Sequence, residues 1–280
     1  MRSSAVRTGL AHLLERRLAR GGRHLNACEL AASALVFAPH PDDECLGCGG
    51  TILRKTSVHA EVGIVFVSDG AASHASLMEP DRLRSLRVEE ACMAAARLGV
   101  RAENVVFLGH PDGRLSHTRA RAVAEIKALL QDWRPAQVFV PHADEPPADH
   151  RSVRGSVLDA ISTLPTVQVL EYPIWWWLHW PWVRLSFRRT DLALELWRRT
   201  LKTAFGFNAA RAFNSWVDVG DVLERKRGAL EAHATQMSRQ RGRADWPILR
   251  DVADGDFLAR LLGAREFFAT YLSSHPGVEP

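Results

Sequence analysis

Cysteine is scarce in this chain. The four present, at 28, 45, 48 and 92, are too few to give 280 residues a disulfide framework. Long apolar runs are also missing. No stretch of roughly 18 apolar residues occurs, which excludes a spanning helix, and the N-terminus has no continuous apolar segment of the secretory kind. Basic residues exceed acidic ones by only four. The excess is spread out, with no basic stripe interleaved with aromatics, so nucleic acid is not an expected partner. No G-x-S-x-G elbow occurs and no cysteine has an evident base, which removes serine and cysteine nucleophiles. There is no internal repeat and no low-complexity linker. The cytoplasm is the compartment these absences leave.

What is present is ordinary globular composition, 46% hydrophobic and 24% charged. Residues 1–30 carry Leu10, Leu13, Leu14 and Leu18 at helical spacing, with arginines between. They read as a basic amphipathic helix, packed on the domain or lying on a membrane surface. An arginine-rich, acid-poor leader also fits a transit peptide, but nothing else in the chain supports that. Residues 31–280 read as a single domain. Its strands are expected at 35–38, 62–67, 105–108, 138–140, 167–172 and 216–219. Helices are expected from 49–55, at 81–98 with Gly99 as C-cap, and at 119–133, 150–161, 191–203, 221–237 and 257–272. A loop fills 238–256. The rhythm predicts an α/β, Rossmann-like fold: a mostly parallel sheet with helices on both faces, in three layers.

In such a sheet the ligand sits outside the carboxyl ends of the strands. The expected loops there are His40 to Glu44, Ser68-Asp69-Gly70, Gly109 to Gly113, Pro141 to His150 and Glu171-Tyr172-Pro173. Four of the five contain His or Asp, a convergence stronger than any one loop. His40 and Asp43, three positions apart, can turn toward one point and suit zinc, and Asp42 between them can handle a proton. His150 supplies a third ligand and leaves coordination open for water and substrate, as in catalytic zinc sites; Asp149 would orient ligands from behind. The turn residues also have a plain reading as backbone formers and helix caps. Cys45 and Cys48 form a lone C-x-x-C, read as turn filling or as a redox pair. The run 174–183 holds five of the nine tryptophans. It covers the core, stacks flat ligands, or dips into a membrane interface.

The chain resembles the zinc-dependent N-acetylglucosaminyl deacetylases, the LmbE-like or PIG-L family. The matching stretches are Ala38-Pro39-His40-Pro41-Asp42-Asp43-Glu44, Gly49-Gly50-Thr51, Ser68-Asp69-Gly70, Arg87 with Glu90, Leu108 to Gly113, Asp149-His150, and Lys226 followed by Ala232 to Gln236. The resemblance implies zinc on His40, Asp43 and His150, with Asp42 as general base. It places Arg87 and Asp112 on the substrate, and Asp69 lies in a matched loop on the same side. His233 sits in a late motif near the pocket. The implied substrate is an N-acetylated sugar or glycoconjugate; the N-terminal helix and the tryptophan run, read as membrane contacts, would suit a lipid-linked one. Two departures stand out. Where the family has a His three positions before the last metal His, this chain has Pro147, leaving His142, His110 or His233 as stand-ins. Where the family often has a Glu after the second-strand glycine, Gly70 is followed by Ala71-Ala72-Ser73. Two rivals stay open. One is a silent sugar- or lipid-binding module, favoured by Pro147. The other is a nucleotide-binding oxidoreductase, for which Cys45 to Gly50 lacks the phosphate-loop spacing.

Overall fold

A computed structural model of the chain describes residues 2–184, 190–240 and 243–273. Five parallel strands form its centre: β2 (Ala34–Ala38), β3 (Val62–Ser68), β4 (Val105–His110), β5 (Gln137–Pro141) and β6 (Gln168–Tyr172). They lie in the order β4-β3-β2-β5-β6. Every residue of β2, β3 and β5 is buried, which is why these strands read as unbroken apolar runs instead of alternating ones. Each strand nevertheless feeds two cores. Val36, Ala38, Ile64 and Phe66 face the helices α3 (Asp43–Ser57) and α4 (Pro80–Arg97). Leu35, Phe37, Val65 and Val67 face α5 (Arg119–Trp133) and α6 (Ala148–Ile161). This is the three-layer arrangement expected from the sequence. From β2 the chain runs outward through β3 and β4, then returns to lay β5 on the other side of β2. The sheet therefore reverses between β2 and β5, and a crevice opens beyond their carboxyl ends.

The glycine cluster after β2 serves packing. A Cβ on Gly47 would lie 2.3 Å from the Tyr172 ring, and one on Gly50 would lie 2.5 Å from Val219. Only glycine lets α3 come this close to β6 and to Val219. Cys45 and Cys48 are fully buried among these contacts, and burial pushes both thiols well above their usual range. They fill space and are not a reactive pair. Helix α4 starts on Pro80, with the Glu79 side chain accepting the Arg82 N–H at 2.9 Å. It closes on Gly99 at φ +81°, as expected.

Three segments differ from the sequence reading. The amphipathic helix expected over 257–272 is a short helix, α11 (Asp256–Leu261), followed by β8 (Arg265–Leu272). β8 runs antiparallel between β6 and β7 (Ser215–Asp218). Its aromatic residues Phe267, Phe268 and Tyr271 favour a strand, and the sheet edge left by β6 outweighs the helical spacing. The helix expected over 221–237 divides into α9 (Leu223–Leu230) and α10 (Ala234–Met237). The first 30 residues are not one helix. α1 (Arg2–Gly21) ends before β1 (Arg23–His24), which pairs with β7, and α2 (Ala27–Ala31) follows. Two further helices, α7 (Thr190–Lys202) and α8 (Ala209–Ala212), precede β7. In the expected loop 238–256, residues 249–255 form 3₁₀ turns, and 241–242 lie outside the described residues. The tryptophan run covers the core: Trp176, Trp177 and Trp182 are buried, with Phe213 packed against the first two and the Arg260 guanidinium 3.7 Å from the Trp177 ring centre.

The two halves of the chain are joined by a buried ion pair. Glu266 of β8 accepts the N–H groups of Gly50 and Thr51 at 2.8 and 2.7 Å, the Thr51 hydroxyl at 2.6 Å and the Lys226 ammonium at 2.8 Å. Lys226 also donates to the carbonyls of Leu46 and Leu261. Both side chains are satisfied, so removing one partner strands a buried charge. Glu266→Ala is expected to lower unfolding free energy by about 3–5 kcal/mol, read from urea denaturation. Lys226→Met combined with Glu266→Leu should lose clearly less than either single change. A Glu266→Ala protein of unchanged stability would refute this account.

Candidate metal centre

The turn after β2 is built under strain. Asp42 has φ +123°, a conformation that costs a non-glycine residue about 1–3 kcal/mol and persists only where its surroundings impose it. Here the Asp42 N–H donates to Glu44 Oε2 at 3.0 Å. Gln236 Nε2 donates to the Pro41 carbonyl at 2.7 Å and to the Asp42 carboxylate. Asp42 O in turn accepts the N–H groups of Cys45 and Leu46, so α3 begins on it. The strain swings Asp43 back toward His40. Asp43 Oδ2 accepts the His40 N–H at 3.0 Å and lies 3.2 Å from His40 Nδ1. It also lies 3.3 Å from Nε2 of His150, which the first turn of α6 carries across the crevice. The three donor atoms fall within 4.8 Å of one another.

These residues fit a zinc ion. Both ring nitrogens of the buried His150 lack a properly directed hydrogen bond, although carboxylate oxygens lie 3.1 and 3.3 Å away. A buried imidazole left that way has a lone pair available to a cation. Glu145 Oε2, 3.1 Å from His150 Nδ1, is placed to hold the ring tautomer, as carboxylates do behind zinc-bound histidines. On the other ring, His40 Nε2 faces Asp112 at 3.1 Å and Asp149 at 3.5 Å, the same device. Two imidazoles and one carboxylate with an open side suit catalytic zinc.

The charge balance is acidic. Burial, and then the charge of Asp43, push Asp42 up to about 8. Burial works to raise Asp43 as well, but His150 and His40 beside it hold it below the usual carboxylate range. Burial opposes charging of His150, yet Asp43 and Glu145 raise it to about 9. A cluster that draws protons this strongly is one a divalent cation can neutralise instead.

The cleft over the centre measures about 470 Å³. His40, Asp42, Asp43, His150, Arg87 and Asp112 all line it. Arg87 donates to Gly70 O at 2.6 Å and to Ser73 Oγ at 2.8 Å, and Asp112 accepts the Ala72 N–H at 2.9 Å. The other expected residues stand apart from the cleft lining. Asp69 accepts the Ala71 and Asp112 N–H groups at 3.1 and 3.2 Å and pairs with Arg84; it positions Asp112. The His233 ring is buried against Glu44 at 2.7 Å and reaches the site through that carboxylate. His142 accepts the Asp144 N–H and packs on Phe213 with ring centres 5.1 Å apart. His110 is held by Thr118 and Glu125. None of the three stand-ins for Pro147 lines the cleft.

Sequence reasoning missed three contributors. His74 is an imidazole that does line the cleft, stacked on Trp246 with ring centres 4.4 Å apart and bonded to Pro247 O at 2.9 Å. Gln236 stood in a matched motif but had no role, and Glu145 had none either. Besides His150, Glu145 accepts the N–H groups of Ile174, Trp175 and Trp176, each at 2.9 Å. No local spacing links residue 145 to 174; only the pairing of β5 with β6 does.

The chain is similar to known deacetylases. Residues 35–161 match the model of the PIG-L family, described as GlcNAc-PI de-N-acetylase. A diacetylchitobiose deacetylase of Thermococcus kodakarensis is 28% identical over 225 residues, 78% of this chain and 75% of that one. A 1D-myo-inositol 2-acetamido-2-deoxy-alpha-D-glucopyranoside deacetylase of Mycobacterium sp. is 29% identical over 75% of this chain and 76% of that one. Among solved structures, an N,N'-diacetylchitobiose deacetylase from Pyrococcus horikoshii superposes with a TM-score of 0.58 at 22% identity, covering 86% of this chain and 84% of that one. That likeness supports the fold.

Metal analysis of the purified protein tests the centre. His150→Ala is expected to abolish stoichiometric zinc. Glu145→Gln should keep zinc but weaken it by ~10–100-fold in a chelator competition. Full zinc occupancy in His150→Ala would sink the assignment.

Proposed function

We propose that this chain, similar over residues 35–161 to the PIG-L, LmbE-like family, hydrolyses the acetamide of an N-acetylglucosamine-type sugar, releasing acetate and a free amino sugar. The observation that carries the reading is the Asp42 carboxylate in the same cleft as the His40, Asp43 and His150 donors. Zinc, when bound there, lowers the pKa of a water and polarises a carbonyl. Asp42 takes the proton of the attacking water. As the amide C–N bond breaks, Asp42 returns that proton to the departing nitrogen. Burial and Asp43 raise Asp42 toward the range in which one group can both accept and give a proton near neutral pH. This dual role matters because position 147 offers no imidazole. His74 does not replace it, since its Nε2 is occupied by Pro247 O. Arg87 and Asp112 would hold sugar hydroxyls. Trp175, Ile248, Leu249 and Val252 give the cleft an apolar wall, suited to a flat or apolar aglycone, lipid-linked ones included. Four free thiols fit a reducing, cytoplasmic compartment. A sugar-binding protein without turnover is the second reading, and Pro147 favours it.

Asp42→Ala should keep its zinc and lose at least ~10²-fold in kcat, measured as acetate released from N-acetylated glycosides. Loss of metal together with activity would make Asp42 a ligand instead. A zinc-loaded wild-type protein that binds such sugars but never yields acetate would establish the second reading.

A further inference from the structure

A second cleft, of about 660 Å³, lies on the other side of the loop that ends in Pro147. Ala143 to Pro146 line it, whereas Pro147 lines the metal cleft; Trp176 faces the one and Trp175 the other. Cations from three helices converge on it: Arg151 of α6, Arg198, Arg199 and Lys202 of α7, and Arg211 of α8. Among the described side chains the counter-charge is small. Glu145 is buried and its oxygens are taken by backbone N–H groups and His150. Asp144 meets Lys202 at 3.4 Å in an exposed, weak pair. Among the described residues, no acidic side chain pairs with Arg198 or Arg211.

The same helix carries an apolar ridge. Leu194, Trp197 and Leu201 recur every three to four residues, and Leu194 and Leu201 are 74% and 61% exposed. Phe205 and Phe207 extend the ridge through the turn after α7, at 40% and 51% exposure. Five large apolar side chains facing solvent beside a cationic cleft call for a partner that is apolar and anionic together.

We propose that α7, the turn after it and α8 dock on an anionic phospholipid surface, with lipid phosphates in the cationic cleft and the ridge in the headgroup boundary. No helix among the described residues is long and apolar enough to cross a membrane; the contact is peripheral. It also differs from the contacts expected from sequence, since Leu14 and Leu18 of α1 and most of the tryptophan run are buried. A second copy of the chain fits this surface poorly, because two-fold pairing would bring like charges together. Docking here sets the bilayer beside the loop that separates the two clefts. Arg151 donates to Glu145 O at 2.8 Å and to Pro146 O, so the cationic cleft is tied to the loop whose Glu145 backs His150.

Co-sedimentation of the full chain with vesicles tests this without any assay of turnover, so it stands or falls apart from the deacetylase reading. Vesicles containing phosphatidylglycerol should carry the protein down, and pure phosphatidylcholine vesicles should not. Arg198→Glu with Arg211→Glu should reduce the bound fraction by ~10-fold or more. Leu194→Ser with Leu201→Ser should weaken binding comparably while leaving circular dichroism unchanged. Absence of binding to anionic vesicles overturns the proposal. So does binding that the leucine changes leave intact and inorganic phosphate displaces, which would mean a site for soluble phosphate. A dimer dispersed by the same leucine changes, with no vesicle binding, would assign the ridge to self-association.

Discussion

One carboxylate holds the candidate centre together. Asp43 lies within 3.3 Å of an imidazole from β2's loop and an imidazole from α6, and Asp149 of α6 reaches the same His40 ring from its other nitrogen at 3.5 Å. The placement of Asp43 requires Asp42 to adopt a conformation that residues other than glycine avoid. That conformation requires Glu44 and Gln236 to hold the turn. Glu44 is in turn seated by His233, and Gln236 by the short helix α10. The late motif around 232–236 thus acts on the metal loop from behind, through hydrogen bonds to the turn.

Buried carboxylates recur as organisers in this fold. Glu266 gathers the start of α3, Lys226 and β8. Glu145 gathers three backbone amides and His150. Glu171 takes the Ala143 N–H, Arg154 and the Tyr271 hydroxyl. Each gathers elements that lie far apart in the chain, and each is satisfied by more than one donor, as a buried charge must be. The positions of the loops around the cleft follow from these joints as much as from apolar packing.

The parallel strands and their helices were legible because apolar runs bounded by glycine and proline report burial on both faces. The candidate donors at 40, 43 and 150 were legible as a group because they sit beyond the strand ends, where an α/β sheet places ligands. The failures have a common cause. β8 follows α11 after only three residues, so helix and strand merge into one apolar stretch, and a Phe-rich segment reads equally as helix or strand until its partner is known. His74 is held by Pro247, and Glu145, though only five positions from His150, is aimed at it by backbone amides from residue 174 onward; no local spacing encodes either. His142 and His110 lie in the right loops, but a strand's alternation sends neighbouring side chains to opposite faces, and loop membership does not say which way a ring turns.

The insertion of β8 between β6 and β7 bears on the order of assembly. During synthesis, the five parallel strands and the donors at 40, 43 and 150 emerge well before residue 265. Until then β6 presents an unpaired edge, and Lys226 lacks the carboxylate that neutralises it. An unfinished chain of this kind exposes a template for pairing with another strand. Among the described strands β8 is made after all those it pairs with, and nascent protein stays vulnerable to aggregation until it arrives.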